Sequence, residues 1–175
     1  HCTDYKAKPC AKGVNMASTT FSGPVTSTAG FISGSDSLVS VTADATLTSA
    51  ANAGRTMVLG VASGATVTLP AASGTGNIYR FFVSTTVTSN NYIIQVANGD
   101  DTMAGVAIVA NDSDNSASIF ETAATSDTIT MNGTTTGGLL GATIEIQDVA
   151  SNVFSVVARG AATGTEATPF SAAVS

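Results

Sequence analysis

Residues 65–97, ATVTLPAASGTGNIYRFFVSTTVTSNNYIIQVA, decide the fold class. Val67 and Leu69 alternate with Thr66 and Thr68, the period of two that turns one face of a strand to a core and the other to water. Pro70 ends that run because it has no N–H to give a ladder, and Ser73-Gly74-Thr75-Gly76 is turn chemistry. Ile78, Tyr79, Phe81, Phe82 and Val83 then make the densest apolar and aromatic cluster of the chain and read as a central strand. Ser89-Asn90-Asn91 supplies a second turn, since Asn tolerates left-handed backbone, and Tyr92, Ile93, Ile94 and Val96 follow as a third strand. Three strands joined by two short turns predict a β-meander with one face on a core.

The same signals recur on both sides. Upstream, residues 38–41, 46–48 and 55–61 read as strands, with one short helical turn as an alternative within residues 43–54. Downstream, residues 103–110, 116–122 and 127–131 are apolar or alternating, and Asn132-Gly133 is a strong turn signal. Residues 142–149 and 153–158, separated by Ser151-Asn152, form a closing hairpin. Turns every eight to twelve residues or so are the spacing of a sandwich or a small barrel. The expected fold is therefore all-β, a single antiparallel β-sandwich or small barrel-like domain with an extended N-terminal arm. The divisions are residues 1–35 as arm and linker, 36–160 as the β-rich body, and 161–175 as a tail or edge strand. Phe170 reads as a tether of that tail to its own domain. No internal repeat of fixed period is visible.

Composition points the same way. The 175 residues suffice for one good core, and only 10% are charged, against about 25% in ordinary soluble domains. With 17 Gly and 27 Thr, the chain favours strands and turns over helices. A net charge of −6 argues against nucleic acid as a partner, because phosphate binding needs clustered Lys and Arg. No window approaches the roughly 18 continuous apolar residues of a membrane-spanning helix, so no membrane partner is expected. The chain starts at His1 with no signal-peptide pattern, and an N-terminus that was processed or truncated is expected.

Candidate sites are few. Cys2 and Cys10 both lie in the arm, and in an oxidising setting they are candidates for a local disulfide. Two free thiols or a bond between chains remain open, and a metal site through His1, Cys2, Asp4 and Cys10 lacks the close pairing of zinc ligands. Lys6, Lys8 and Lys12 give the arm a charge opposite to that of the body, and with Phe21 and Phe31 they are the candidate partner-docking residues; a solvated tail is the plainer reading. Residues 111–115, NDSDN, offer oxygen ligands but lack the calcium-loop spacing, and Asn98-Gly99-Asp100-Asp101 is foremost a turn. His1 is the sole histidine, no GxSxG elbow is present, and Trp is absent. Two of the twelve acids meeting in the fold is the remaining route to hydrolysis. Asn111-Asp112-Ser113 and Asn132-Gly133-Thr134 match the N-glycosylation pattern at about the frequency chance gives. No catalytic residue, metal or cofactor is expected.

Four runs resemble structural proteins of marine tailed bacteriophages, of the capsid decoration or head-fibre type. They are TTFSGPVTSTAGF at residues 19–31, TVTLPAASGTGNIYRFFVSTTVTSNNYIIQVANGDDTMAGVA at 66–107, and NDSDNSASIFETAATSDTITMNGTTTGG at 111–138, followed by ATGTEATPFSAAVS at 162–175. The likeness is one of texture and phrases, and the first eighteen residues depart from it. It implies a non-enzymatic protein of the virion surface that decorates or cements the outer capsid, partnered by copies of itself, as a homotrimer, and by the major capsid protein lattice. The alternatives are a subunit of an extracellular filament or surface appendage assembled by strand or arm exchange, and a glycan-binding receptor protein. The few Lys and Arg suit an exposed particle, and the 43% hydrophobic content leads us to expect apolar surface buried between subunits.

Overall fold

A computed structural model describes residues 37–174, all within the unit Ser33–Ser175. Strands take up 47% and helix 4% of these residues, as an all-β reading requires. The order is β1 (Leu38–Val41), β2 (Ala45–Thr46), α1 (Ser49–Asn52), β3 (Thr56–Leu59), β4 (Ala65–Thr68), β5 (Ile78–Val83), β6 (Tyr92–Gln95), β7 (Thr102–Ala110), β8 (Ala117–Glu121), β9 (Thr128–Met131), β10 (Thr143–Ala150), β11 (Val153–Ala161) and β12 (Phe170–Ser171). They form a seven-stranded sheet ordered β1-β3-β5-β10-β11-β7-β8 and a five-stranded sheet ordered β12-β9-β6-β4-β2. Among the described residues each sheet has two open edges, and no barrel closes.

The meander does not form. Strand β5 lies in the seven-stranded sheet, while β4 and β6 are neighbours in the other sheet and pair parallel, Ala65 opposite Tyr92. The sheets are mixed rather than antiparallel: β1-β3, β3-β5, β2-β4, β4-β6 and β7-β11 are all parallel. From β1 to β6 the chain changes sheet at every strand, winding three times and laying each strand parallel to its predecessor in the same sheet. The winding is hidden in the sequence because its period drifts. Leu38 faces Thr56, 18 positions on, and Thr56 faces Arg80, 24 on. Ala45 faces Val67, 22 on, and Ala65 faces Tyr92, 27 on. Residues 73–76 and 89–91, read as hairpin turns, instead carry the chain from one sheet to the other.

After β6 the pattern changes to antiparallel. Strands β10 and β11 make the expected hairpin, with Asn152 in left-handed backbone at φ 62. That hairpin fills the gap in the seven-stranded sheet between β5, to which β10 is antiparallel, and β7, to which β11 is parallel. Strand β9 runs antiparallel to β6, and β12 closes that side with Phe170 opposite Ile129.

Alternation builds the core. Val41, Leu59 and Val83 share one register line of the seven-stranded sheet, and Val67, Ile94, Ile129 and Phe170 share one line of the five-stranded sheet. All are buried, in one apolar cluster with Tyr79, Tyr92, Phe81, Phe154 and Met57. Each such side chain withdrawn from water contributes about 1.5–3 kcal/mol. Tyr92 Oη donates to Thr85 O at 3.1 Å and Tyr79 Oη is 3.1 Å from Ser49 Oγ, so both buried phenols keep a partner. Short α1 is capped by Thr48, whose Oγ1 accepts from Ala51 N.

Candidate functional surface

Cys2, Cys10, Lys6, Lys8, Lys12, Phe21 and Phe31 all fall outside the described residues. The two acidic stretches within them are turns held together by their own side chains. In the first, Asn98 Oδ1 accepts from Asp100 N and Asp101 N, and Asn98 Nδ2 donates to Asp101 Oδ2. In the second, Asp114 Oδ1 accepts from Ser116 N and Ser116 Oγ, which hold its pKa below the usual carboxylate value, and Asp112 Oδ2 accepts from Gly164 N. Among the described residues no group of three His, Cys, Asp or Glu side chains is placed to hold a metal.

Three aspartates are buried, Asp101 of the first turn and two from strand segments, Asp127 and Asp148, and each binds backbone. Asp101 accepts from Ala72 N at 3.1 Å. Asp127 accepts from Ala173 N at 2.8 Å and ties down the chain after β12. Asp148 accepts from Ser73 N at 3.0 Å, Gly74 N at 2.7 Å, Thr75 N at 3.0 Å and Thr75 Oγ1 at 2.6 Å. Burial pushes the Asp148 carboxyl up, but the hydrogen bonds from Thr75, Gly74 and Ser73 outweigh it and hold the pKa below its ordinary value. Carboxylates engaged in this way are staples between distant segments, with few lone pairs left for acid-base work.

The feature that is not self-contained is the outer face of the seven-stranded sheet. Its register places two rows of side chains side by side. One runs Leu38, Thr56, Arg80, Glu145, Val157, Val106, Glu121, and the other Ser40, Val58, Phe82, Thr143, Arg159, Ile108, Ile119. Leu38 at 61%, Phe82 at 37%, Ile108 at 37% and Ile119 at 65% exposure make this face hold four of the six exposed large apolar side chains among the described residues. An open depression of about 460 Å³ lies between Leu38, Val58, Arg80, Phe82, Glu145 and Arg159.

Charge is distributed to match. Arg80 Nε donates to Glu145 Oε2 at 2.9 Å across the β5-β10 pair; with both side chains about half exposed, the pair is worth less than about 1 kcal/mol. Arg159 and Glu121 are also exposed on this face. The face is therefore neutral, with two arginines against two glutamates, whereas residues 37–174 together carry ten carboxylates and three arginines.

None of these surface residues was singled out in the sequence, although one signal was present. Phe81 and Phe82 are adjacent, and neighbours on a strand point to opposite faces. One aromatic ring of the pair had to face outward, on the side of Arg80.

In comparisons with protein-family models, with curated proteins and with solved structures, nothing matches this chain. The described residues define a class: a mostly β body of two mixed sheets whose side-chain carboxylates staple its loops and whose seven-stranded sheet carries apolar side chains on an outer face that no other described residue covers.

Proposed function

We propose that this protein is a non-enzymatic structural protein of a virion, decorating or cementing the outer capsid surface as an oligomer, with its two sheets stacked as a β-sandwich-like body. The observation that carries the reading is the neutral, apolar outer face of the seven-stranded sheet on an otherwise acidic molecule. Soluble monomers rarely leave large apolar patches exposed, and the two clusters on this face, Leu38 with Phe82 and Ile108 with Ile119, mark association. The resemblance in residues 19–31, 66–107, 111–138 and 162–175 supplies the setting, with a capsid lattice as partner and three copies as the expected number. The arm residues Lys6, Lys8, Lys12, Phe21 and Phe31 remain its proposed docking segment.

Immunogold labelling of particles purified from the source material tests the assignment. Gold on capsid heads is the expected result, and loss of labelling from heads rebound with a chain lacking residues 1–33 places the docking function in the arm. Unlabelled heads overturn the assignment.

A second reading, a subunit of an extracellular filament, is favoured by one observation. Strands β1 and β2 follow one another in the chain and are each an open edge of their sheet, so one end of the winding offers two ladders for strand addition. Negative-stain images of concentrated protein separate the two, polymers supporting this reading and discrete particles the first.

A further inference from the structure

We propose that the outer face of the seven-stranded sheet docks onto the same face of a second copy, about a twofold axis running along the strands between β10 and β11.

The register carries this. Between Val58 and Ile119 the second row reads apolar, apolar, polar, polar, apolar, apolar: Val58, Phe82, Thr143, Arg159, Ile108, Ile119. A twofold axis between β10 and β11 exchanges β10 with β11, β5 with β7 and β3 with β8. It sets Phe82 against Ile108 of the second copy and Val58 against its Ile119, twice over. Shape follows the same symmetry. Ile119, 65% exposed, is the projecting side chain on one side of the axis, and the depression beside Val58 and Phe82 lies on the other.

Charge selects a second copy over other occupants. Two molecules of strong negative charge repel wherever acidic surfaces meet, and this face is neutral. At the axis, Arg159 of one copy lies over Thr143 of the other, one row along the strand from its Glu145, which already accepts from Arg80 in its own chain. No like charges are opposed in the contact, since Arg80 faces Val106, Glu145 faces Val157 and Glu121 faces Thr56 of the second copy. An axis moved half a strand onto β10 would set Ser40 against Ile119 and Phe82 against Arg159, losing the apolar matches at both, which disfavours that alternative. The contact closes at two copies, unlike the trimer that the resemblance implies, and the two numbers are separated below.

The inference stands apart from the virion assignment and puts two copies in place of the three that the resemblance implies. Sedimentation velocity on the full chain should show a dimer, and Ile108→Glu should weaken it by about 30-fold or more, as removal of a central apolar anchor does, with an unchanged melting curve. Cross-linking fixes the axis. On a Cys2→Ser, Cys10→Ser background, Phe82→Cys and Ile108→Cys chains are each treated with a short bismaleimide, alone and mixed. The opposed residues sit about one inter-sheet spacing of 10 Å apart, while like residues are offset by a further three strand spacings, about 14 Å sideways. A cross-linked dimer from the mixture, and little from either variant alone, is the expected result. A monomer, a trimer, a dimer indifferent to Ile108→Glu, or equal cross-linking by single variants would each overturn the proposal. A dimer that labels no capsid removes the virion assignment alone, and a monomer on labelled capsids removes only this inference.

Discussion

Asp148 shows how much one side chain organises. Its carboxylate gathers three consecutive backbone N–H groups and the Thr75 hydroxyl, fixing the turn that carries the chain into β5. Its partners lie 73 to 75 positions away, so nothing local in the sequence distinguishes this aspartate from those in surface turns. Because its folded pKa is depressed, its charge contributes stability that is fully present above the unfolded value of about 3.9 and is lost as pH falls through the folded pKa. Asp148→Asn should cost about 2–3 kcal/mol at pH 7, since an amide NH₂ then faces backbone donors. Urea titrations at pH 7 and near pH 2 check this: the gap between wild type and variant should narrow on acidification, and a constant gap would mean that the charge is not what holds the turn. Gly105 is a second such position. A Cβ there would lie 1.8 Å from Val156 O on the adjacent strand β11, so backbone must move to admit it. Gly105→Ala should destabilise by about 3 kcal/mol or more, at the high end for a single overpacked position, as read by the denaturation midpoint.

At the level of elements, most strands were legible and their partners were not. Residues 65–68 show their strand directly, because burial on one side of a pleat enforces the alternation that the eye can follow, and residues 78–83 show theirs by apolar and aromatic density. Pairing leaves no such local trace. Strands β4 and β5 are neighbours in sequence joined by good turn residues, and a hairpin was the natural inference; Ser73-Gly74-Thr75-Gly76 instead crosses to the other sheet, where Asp148 receives it. The outer face was illegible for a related reason, since its two rows exist only once seven strands from across the chain are set in register. Strand β12 was read in advance as a tail or an edge strand. Phe170, 7% exposed, seats it in the core, so Phe170→Ala should lower stability by about 3 kcal/mol, and chains ending before residue 169 should be at least as weak in the same melt. In the arm, Cys2 and Cys10 remain a sequence expectation. A Cys2→Ser, Cys10→Ser variant should keep the melting temperature of the body, and non-reducing electrophoresis should show a monomer band without titratable thiols. A ladder would mean bonds between chains, and two free thiols would sink the pairing.

For the molecule as a whole, scarcity of basic residues has a measurable result. Trypsin finds only Arg55, Arg80 and Arg159 in the body. Arg80 and Arg159 lie in ladder-bonded strands, and the Arg55 carbonyl accepts from Arg80 N. Cleavage at all three should track global unfolding, so their rates should fall together when urea is removed; an early cut at any one by mass spectrometry would reveal a locally opening segment. The place of the β10-β11 hairpin in the seven-stranded sheet also bears on how the chain is made. On a ribosome, β5 and β7 are synthesised well before residues 143–161 arrive to fill the gap between them. Until then both present bare strand edges, and the half-built sheet has only other nascent chains to pair with. Residues 143–161 are thus the part that seals the rest, and messages truncated before residue 143 should yield insoluble product where messages that include residues 143–175 yield soluble protein.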